Sequence, residues 1–389
     1  MAWEKVKLGD VSTCIQPGPF GSQLHNSDYS ESGTPIIMPK DMIDGKISHS
    51  NLVFVGEEHT KRLCRHQVHS GNLMVARKGD VRKCVFITEN EEGWMTGSDC
   101  LKVALKEDVC HPKFIYYQLR SPFIGRWLEK ISIGATMPSI NTGLLSGIEL
   151  MLPPLKTQKR IADILSAYDD LIENNQKQIK LLEEAAQRLY KQWFIDLKFP
   201  GHETTKIVDG LPEGWEKEKI DAVYNIKYGK NLPKTEIKDV GKYPVYGANG
   251  IIGYYDSPNC FQKVVLITSR GNGSGDVGCT KHKESFVTNN SFIVLPNKSY
   301  NYYGFSFIYG QMNAMDFHSI TTGSAQPQLT NNSISTLNVN VPPQELITNF
   351  SGIVDNYYEK IDILYNQMFC LQIARDRLLP KLMSDEIEV

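Results

Sequence analysis

The stretch from Leu152 to Phe199, LPPLKTQKRIADILSAYDDLIENNQKQIKLLEEAAQRLYKQWFIDLKF, decides the fold. Its two prolines end whatever precedes them, because the ring removes a backbone donor and disfavours helix in the residue before it. After Thr157, read as the N-cap, neither Gly nor Pro occurs until Pro200. Apolar residues recur three and four apart: Ile161, Ile164, Leu165, Tyr168, Leu171, Ile172, Ile179, Leu182, Ala186, Leu189 and Trp193. That spacing predicts one long helix with a coiled-coil-like seam, roughly 55 Å long at 1.5 Å per residue. So long a stripe needs a partner helix.

The partner lies in the same chain. Val341 to Met383 reads VPPQELITNFSGIVDNYYEKIDILYNQMFCLQIARDRLLPKLM. Aligned at the double proline the two stretches match without a gap. Ile161 faces Phe350 in the alignment, Ile164 faces Ile353, Ile172 faces Ile361, Leu182 faces Leu371 and Leu189 faces Leu378. These ten residues are the expected helix-pair seam. Upstream, Gly134 and Pro138 match Gly323 and Pro327 at the same spacing. The chain is therefore a tandem duplication, each copy a globular module followed by a long helix.

Strand-like runs fill the first module: Pro35–Met38, Leu52–Val55, Leu73–Ala76 and Cys84–Ile87. Arg77-Lys78-Gly79-Asp80-Val81-Arg82-Lys83 reads as a hairpin tip, and His111–Lys130 as helical. The second module repeats the pattern. Trp215-Glu-Lys217 echoes Trp3-Glu-Lys5, Tyr243-Pro-Val245 echoes Thr34-Pro-Ile36, Val264-Val-Leu-Ile-Thr-Ser-Arg270-Gly271 echoes Leu73-Met-Val-Ala-Arg77-Lys-Gly79, and Thr288 echoes Thr96. The fold class is α+β: two pseudo-repeated α/β modules separated by a long antiparallel two-helix coiled coil. The expected divisions are a module at 1–152, a helix at 153–199, a linker at 200–214, a module at 215–341 and a helix at 342–389. A short Gly- and Pro-containing linker favours a turn, which sets the helices antiparallel with one module at each end. Asn175 stands on the stripe, either fixing register or tolerated as a partly exposed position.

With 389 residues, a net charge of −2 and no run of about 18 apolar residues, a soluble cytoplasmic protein outside any membrane is expected. Eight scattered cysteines without a C-x-x-C read as reduced thiols. Cys64-Arg-His66-Gln-Val-His69 holds zinc-ligand types but no second pair at finger spacing, so no metal site is expected. Gly273-Ser-Gly275-Asp-Val-Gly278 fits G-x-G-x-x-G, yet neither an opening helix nor an acidic residue about 20 positions on supports a dinucleotide site. No catalytic constellation emerges, and a non-catalytic role is the default.

Loop chemistry suited to nucleic acid remains. Phosphates require cations and backbone amides, and base edges require bidentate Arg, Lys, Asn or Gln. The first module offers Phe20, Gly21, Ser22, Gln23, Lys40, Arg77, Lys78, Arg82, Lys83, Thr136, Ser139 and Asn141. The second offers Lys227, Tyr228, Lys230, Asn249, Arg270, Asn272, Thr322, Ser324, Gln326 and Gln328. Negative overall charge excludes a generally basic nucleic-acid binder but not local basic faces.

Two globular repeats, each followed by a Pro-Pro-led long helix, resemble the specificity subunit of Type I restriction–modification enzymes. The resemblance covers essentially the whole chain. It is carried by Gly18-Pro-Phe-Gly-Ser22, Pro153-Pro154 to Phe194, Leu211-Pro-Glu-Gly-Trp215 and Pro342-Pro343 to Met383. It implies that each module is a target-recognition domain for one half of a split double-stranded DNA site. The helices would be spacers that set half-site distance and dock two copies of a methylation subunit, with restriction subunits further out. It also implies that S-adenosylmethionine, ATP and Mg act only in those partners. A coiled-coil adaptor with two peptide- or protein-binding modules is the competing class.

Overall fold

The structure is a computed structural model, which describes residues 3–134, 137–323, 326–384, 386, 387 and 389. The chain divides into two compact units. One is Met1–Glu173 together with Met368–Val389, and the other is Asn174–Gln367.

In the first unit the central sheet is antiparallel, in the order Ser12–Pro17, Cys100–Leu105, Leu73–Ala76, Cys84–Phe86. Leu73–Ala76 is apolar throughout and buried on both faces, as a continuous apolar run requires. A second sheet orders Met95–Thr96, Thr34–Ile37, Val53–Val55 and Tyr29–Ser30, and its first pair is parallel. Glu4–Lys7 pairs antiparallel with Glu149–Leu152, the strand that delivers the chain to Pro153 and the helix. The helical region 111–130 is two helices, Pro112–Leu119 and Pro122–Ile131. Pro122 forces the break, and Ser121 caps the restart.

The second unit repeats this order. Its central sheet runs Tyr224–Tyr228, Ser291–Pro296, Val265–Thr268, Val277–Cys279, and its second sheet is Gly250–Tyr255, Tyr243–Gly247, Phe286–Val287. The parallel step recurs, Val245 opposite Phe286 as Ile36 is opposite Met95. Glu216–Lys219 pairs with Asn338–Val341 ahead of the second helix. One sequence echo is shifted by a residue. Gly97 donates to Ile37 O at 2.9 Å and Thr288 donates to Tyr246 O at 3.0 Å, so Thr288 stands where Gly97 does, not Thr96.

The first long helix spans Leu155–Tyr190 and runs on through a π turn, Lys191–Ile195. Thr157 is not its N-cap. The Pro154 carbonyl accepts from Gln158 N–H at 3.0 Å, and the helix is already under way at Leu155. The second long helix spans Gln344–Met383. In the first unit, Ile161, Ala162 and Leu165 pack in one core with Leu379 and Leu382, flanked by Ile164 and Leu378, while Arg375 Nη1 donates to Asp169 Oδ1 at 2.6 Å. In the second unit, Tyr190 and Trp193 each lie 5.9 Å from the Phe350 ring, and Asn175 Nδ2 donates to Gln367 Oε1 at 3.4 Å. Within each unit the two helical segments thus run antiparallel.

Two residues of the stripe are misplaced by the sequence reading. Buried Leu165, Ile172, Ile179, Ala186 and Trp193 recur strictly every seven residues, as do Ile347, Val354 and Ile361 on the other helix. Leu171 and Ile353 stand one position before that repeat and point away, 50% and 40% exposed. Leu182, Leu189, Leu371 and Leu378 are half-buried, whereas Ile161, Ile172, Phe350 and Ile361 are buried. Asn175 is buried as well.

His66 is buried on a short turn, Cys64–His66. Its Nδ1 bonds Pro17 O at 3.0 Å and its Nε2 accepts from Arg65 Nε at 3.1 Å, so both ring nitrogens are used as in a neutral imidazole. Burial pushes His66 below the usual imidazole range, and the same holds for His111. As pH falls below about 6.5 the unfolded chain therefore gains protons that the folded chain resists, and stability present at neutral pH is lost. The first unit is expected to unfold at lower denaturant at pH 5.5 than at pH 7.5. His66→Gln should flatten that dependence, and an unchanged slope would contradict this account.

Candidate nucleic-acid interface

In the first module the candidate contacts gather where strand Leu73–Ala76 ends. Arg77 N–H donates to Asp99 O at 2.7 Å, and its own carbonyl accepts from Ile140 N–H at 2.9 Å. Gly79 N–H donates to Pro138 O at 3.0 Å. Ile133 and Ser139 exchange both backbone bonds at 2.9 Å, closing a narrow hairpin that turns at Gly134 with φ +106°. A Cβ on Gly134 would sit 2.7 Å from Met137 O, so only glycine suits the turn. The hairpin is strapped to the cationic corner Arg77-Lys78-Gly79 by backbone alone, leaving its side chains free to vary.

Phe20 joins this corner. The Arg77 guanidinium lies 5.5 Å from the Phe20 ring centroid. The preceding turn is held by Gly18, which donates to Cys100 O at 3.1 Å. A Cβ there would meet Gly97 O at 2.1 Å. Lys78 pairs with Asp99 at 3.0 Å, both about half exposed, a contact worth little in water and easily exchanged for a phosphate.

The second module repeats the construction. Ser269 N–H donates to Asn290 O at 2.8 Å, Leu329 N–H to Ser269 O at 2.9 Å, and Gly271 N–H to Pro327 O at 3.0 Å. Thr322 and Gln328 exchange bonds at 2.9 and 2.8 Å around Gly323, whose φ is +90°. Arg270 thus takes the place of Lys78. It is exposed, as is Asn272. Lys230 is tied in by its backbone, donating to Val287 O at 3.0 Å and accepting from Asn289 at 3.1 Å. Gly229 before it is the counterpart of Gly18, since a Cβ would meet Thr288 O at 2.3 Å. Tyr228 packs on Phe292 with centroids 4.2 Å apart and donates to Leu329 O at 3.4 Å. Thr268 Oγ1 donates to Ala248 O at 2.8 Å, holding the Asn249 turn beside the same corner.

The structure therefore brings Phe20, Arg77, Lys78 and Ser139 together in one module, and Tyr228, Lys230, Asn249, Arg270, Asn272, Thr322, Gln326 and Gln328 near one corner in the other. Gly21, Ser22 and Gln23 form the turn after Phe20, with Gln23 O accepting from Arg62 at 2.9 Å. Other candidates are placed differently. Asn141 Oδ1 caps the helix Thr142–Ser146 by accepting from Leu144 N–H at 2.8 Å. Arg82 is paired with Asp80 at 3.0 Å and Glu129 at 3.2 Å. Lys83 donates to Pro39 O at 2.9 Å, and Lys40 to Asn51 O at 3.1 Å. Lys227 is exposed on its strand. Thr136 and Ser324 lie outside the described residues. The sequence reading left Asp99 and Gly229 off the site and used Gly18 only as part of the Gly18–Ser22 motif, although Gly18 between two prolines and Gly229 beside Lys230 mark tight turns.

Among the described residues no cluster of three or more His, Cys, Asp or Glu side chains could hold a metal ion, and no helix is long and apolar enough to cross a membrane.

Comparison with known proteins agrees with this architecture. The family model described as Type I restriction modification DNA specificity domain matches residues 2–184 and 212–367. The MjaIX specificity subunit of a Type I restriction enzyme from Methanocaldococcus jannaschii is 23% identical, over 100% of this chain and 94% of that protein. A putative type I specificity subunit of Mycoplasma genitalium is 26% identical, over 90% of this chain and 91% of that one. The crystal structure of a Type I restriction–modification S subunit from M. genitalium superimposes with a TM-score of 0.60 at 19% identity, covering 98% of this chain and 96% of that chain, a likeness of fold. With two copies of the family's domain accounting for most of its length, the chain belongs to the Type I restriction–modification DNA specificity family.

Proposed function

We propose that this chain is the non-catalytic subunit that directs a Type I restriction–modification complex to a split, two-part duplex target. The observation that carries this reading is the duplicated corner. One backbone scheme, a cation-glycine pair strapped to a glycine-turned hairpin, is built once in each unit and filled with different side chains. Cations at a fixed corner suit phosphate, and variable hairpin side chains suit base edges. Adenine methylation belongs to partner subunits, two copies of the methylation subunit docking on the helices, with restriction subunits added for cleavage. S-adenosylmethionine, ATP and Mg are assigned to those partners, and the complex works in the cytoplasm.

The test is a genome-wide map of methylated adenine with and without this chain, its methylation subunits present in both arms. A two-part methylated motif should appear only when the chain is present. Identical maps would overturn the reading. Binding of the assembled complex to that motif should weaken steeply with salt, as counterion release demands and peptide binding by an adaptor does not.

A further inference from the structure

Among the described residues, the duplicated hairpins differ in chemical character at two equivalent places. The first carries Ile133 and Met137, 62% and 61% exposed. At the same backbone places, set by the paired bonds of Ile133 with Ser139 and of Thr322 with Gln328, the second carries Thr322 and Gln326, also exposed. Beside the first hairpin stands Phe20, 52% exposed, under the Arg77 guanidinium. Three large apolar side chains thus lie in water around a corner bearing Arg77 and Lys78. Apolar groups set between phosphate-binding cations suit the one apolar feature a duplex displays in its major groove, the C5-methyl of thymine. The Thr hydroxyl and the Gln amide add hydrogen bonds to base donors and acceptors, which Ile and Met cannot make.

We propose that Ile133 and Met137 are specificity-determining residues of the first module and read thymine through its C5-methyl group. The second module reads hydrogen-bonding edges with Thr322 and Gln326 at the equivalent places. This rests on the reading of the chain as a duplex-recognising subunit. It adds the chemical class of base that the first module selects.

The experiment uses the full chain with its methylation subunits and a duplex bearing the mapped target. Each thymine in turn is replaced by deoxyuridine, which lacks only the methyl group. At one or more positions confined to one half of the target, binding should fall about fourfold, the effect of leaving one methyl-sized apolar group in water. With the double variant Ile133→Ser, Met137→Gln the same deoxyuridine changes should have no effect, and its methylation map should relax at those positions while the other half-site stays as before. That unchanged half-site and an unaltered melting temperature show that the variant is folded. A variant that keeps the original motif and the original deoxyuridine profile would overturn the proposal. Loss of affinity spread evenly over all sequences would overturn it too, since that is the mark of a phosphate contact. An unmodified complex with no motif at all would instead refute the underlying function.

Discussion

Arg375→Ala is expected to cost about 3–5 kcal/mol of unfolding free energy in the first unit, the range for removing one partner of a buried ion pair. Arg375 and Asp169 are joined at 2.6 Å, with side chains only 17% and 14% exposed. Asp169 also accepts from the Tyr117 hydroxyl at 2.6 Å. Without the guanidinium this carboxylate keeps one neutral donor and little water, so the cost is that of an uncompensated charge. The control is Arg375→Met with Asp169→Asn, which removes both charges yet leaves an acceptor for Tyr117. It should recover most of the loss in a denaturant titration. Equal losses in the single and double variants would mean that shape, not charge, holds the segments together.

Phe350→Ala is expected to destabilise the second unit by about 3–5 kcal/mol, as deleting a core aromatic does. Phe350 is fully buried and contacts Tyr190, Trp193, Phe194 and Phe307, with centroids 5.1 to 6.4 Å away. Trp193 belongs to this cluster, and Trp215 adjoins it through Phe194. Their fluorescence should therefore report the unfolding directly. Ile353→Ala is the contrast. It lies three residues along the same helix, is 40% exposed, and should change stability by no more than about 0.5 kcal/mol. Similar effects from the two substitutions would refute the seven-residue seam.

The long helices were legible because a periodic stripe is a local signal, and the double prolines fix where each begins. The strands Leu73–Ala76 and Cys84–Phe86 were legible for the same reason. Leu171 and Ile353 were misread because spacings of three and four also admit the neighbour of a seam position. Only the partner's surface decides which of the two is covered. The Arg375–Asp169 pair joins residues far apart in sequence, and nothing local marks it. The candidate site divides likewise. Recurrence of Lys78-Gly79 as Arg270-Gly271 and of Gly134 as Gly323 is visible in the letters. That Asn141 caps a helix and Arg82 is neutralised by Glu129 is not, since a polar loop residue looks alike whether it serves the fold or faces outward. The Thr96–Thr288 echo slipped because identity at one residue outweighed a register that only strand pairing defines.

The first compact unit is not contiguous along the chain, for Met368–Val389 completes a body begun by Met1–Glu173. On the ribosome, where domains ordinarily fold in order of emergence, the unit that starts first is the last to close. Ile161 and Leu165 wait without Leu379 and Leu382 until the second long helix has been made. A nascent chain arrested before Arg375 should therefore hold a finished later unit beside an unfinished earlier one, and recruit chaperones to the latter.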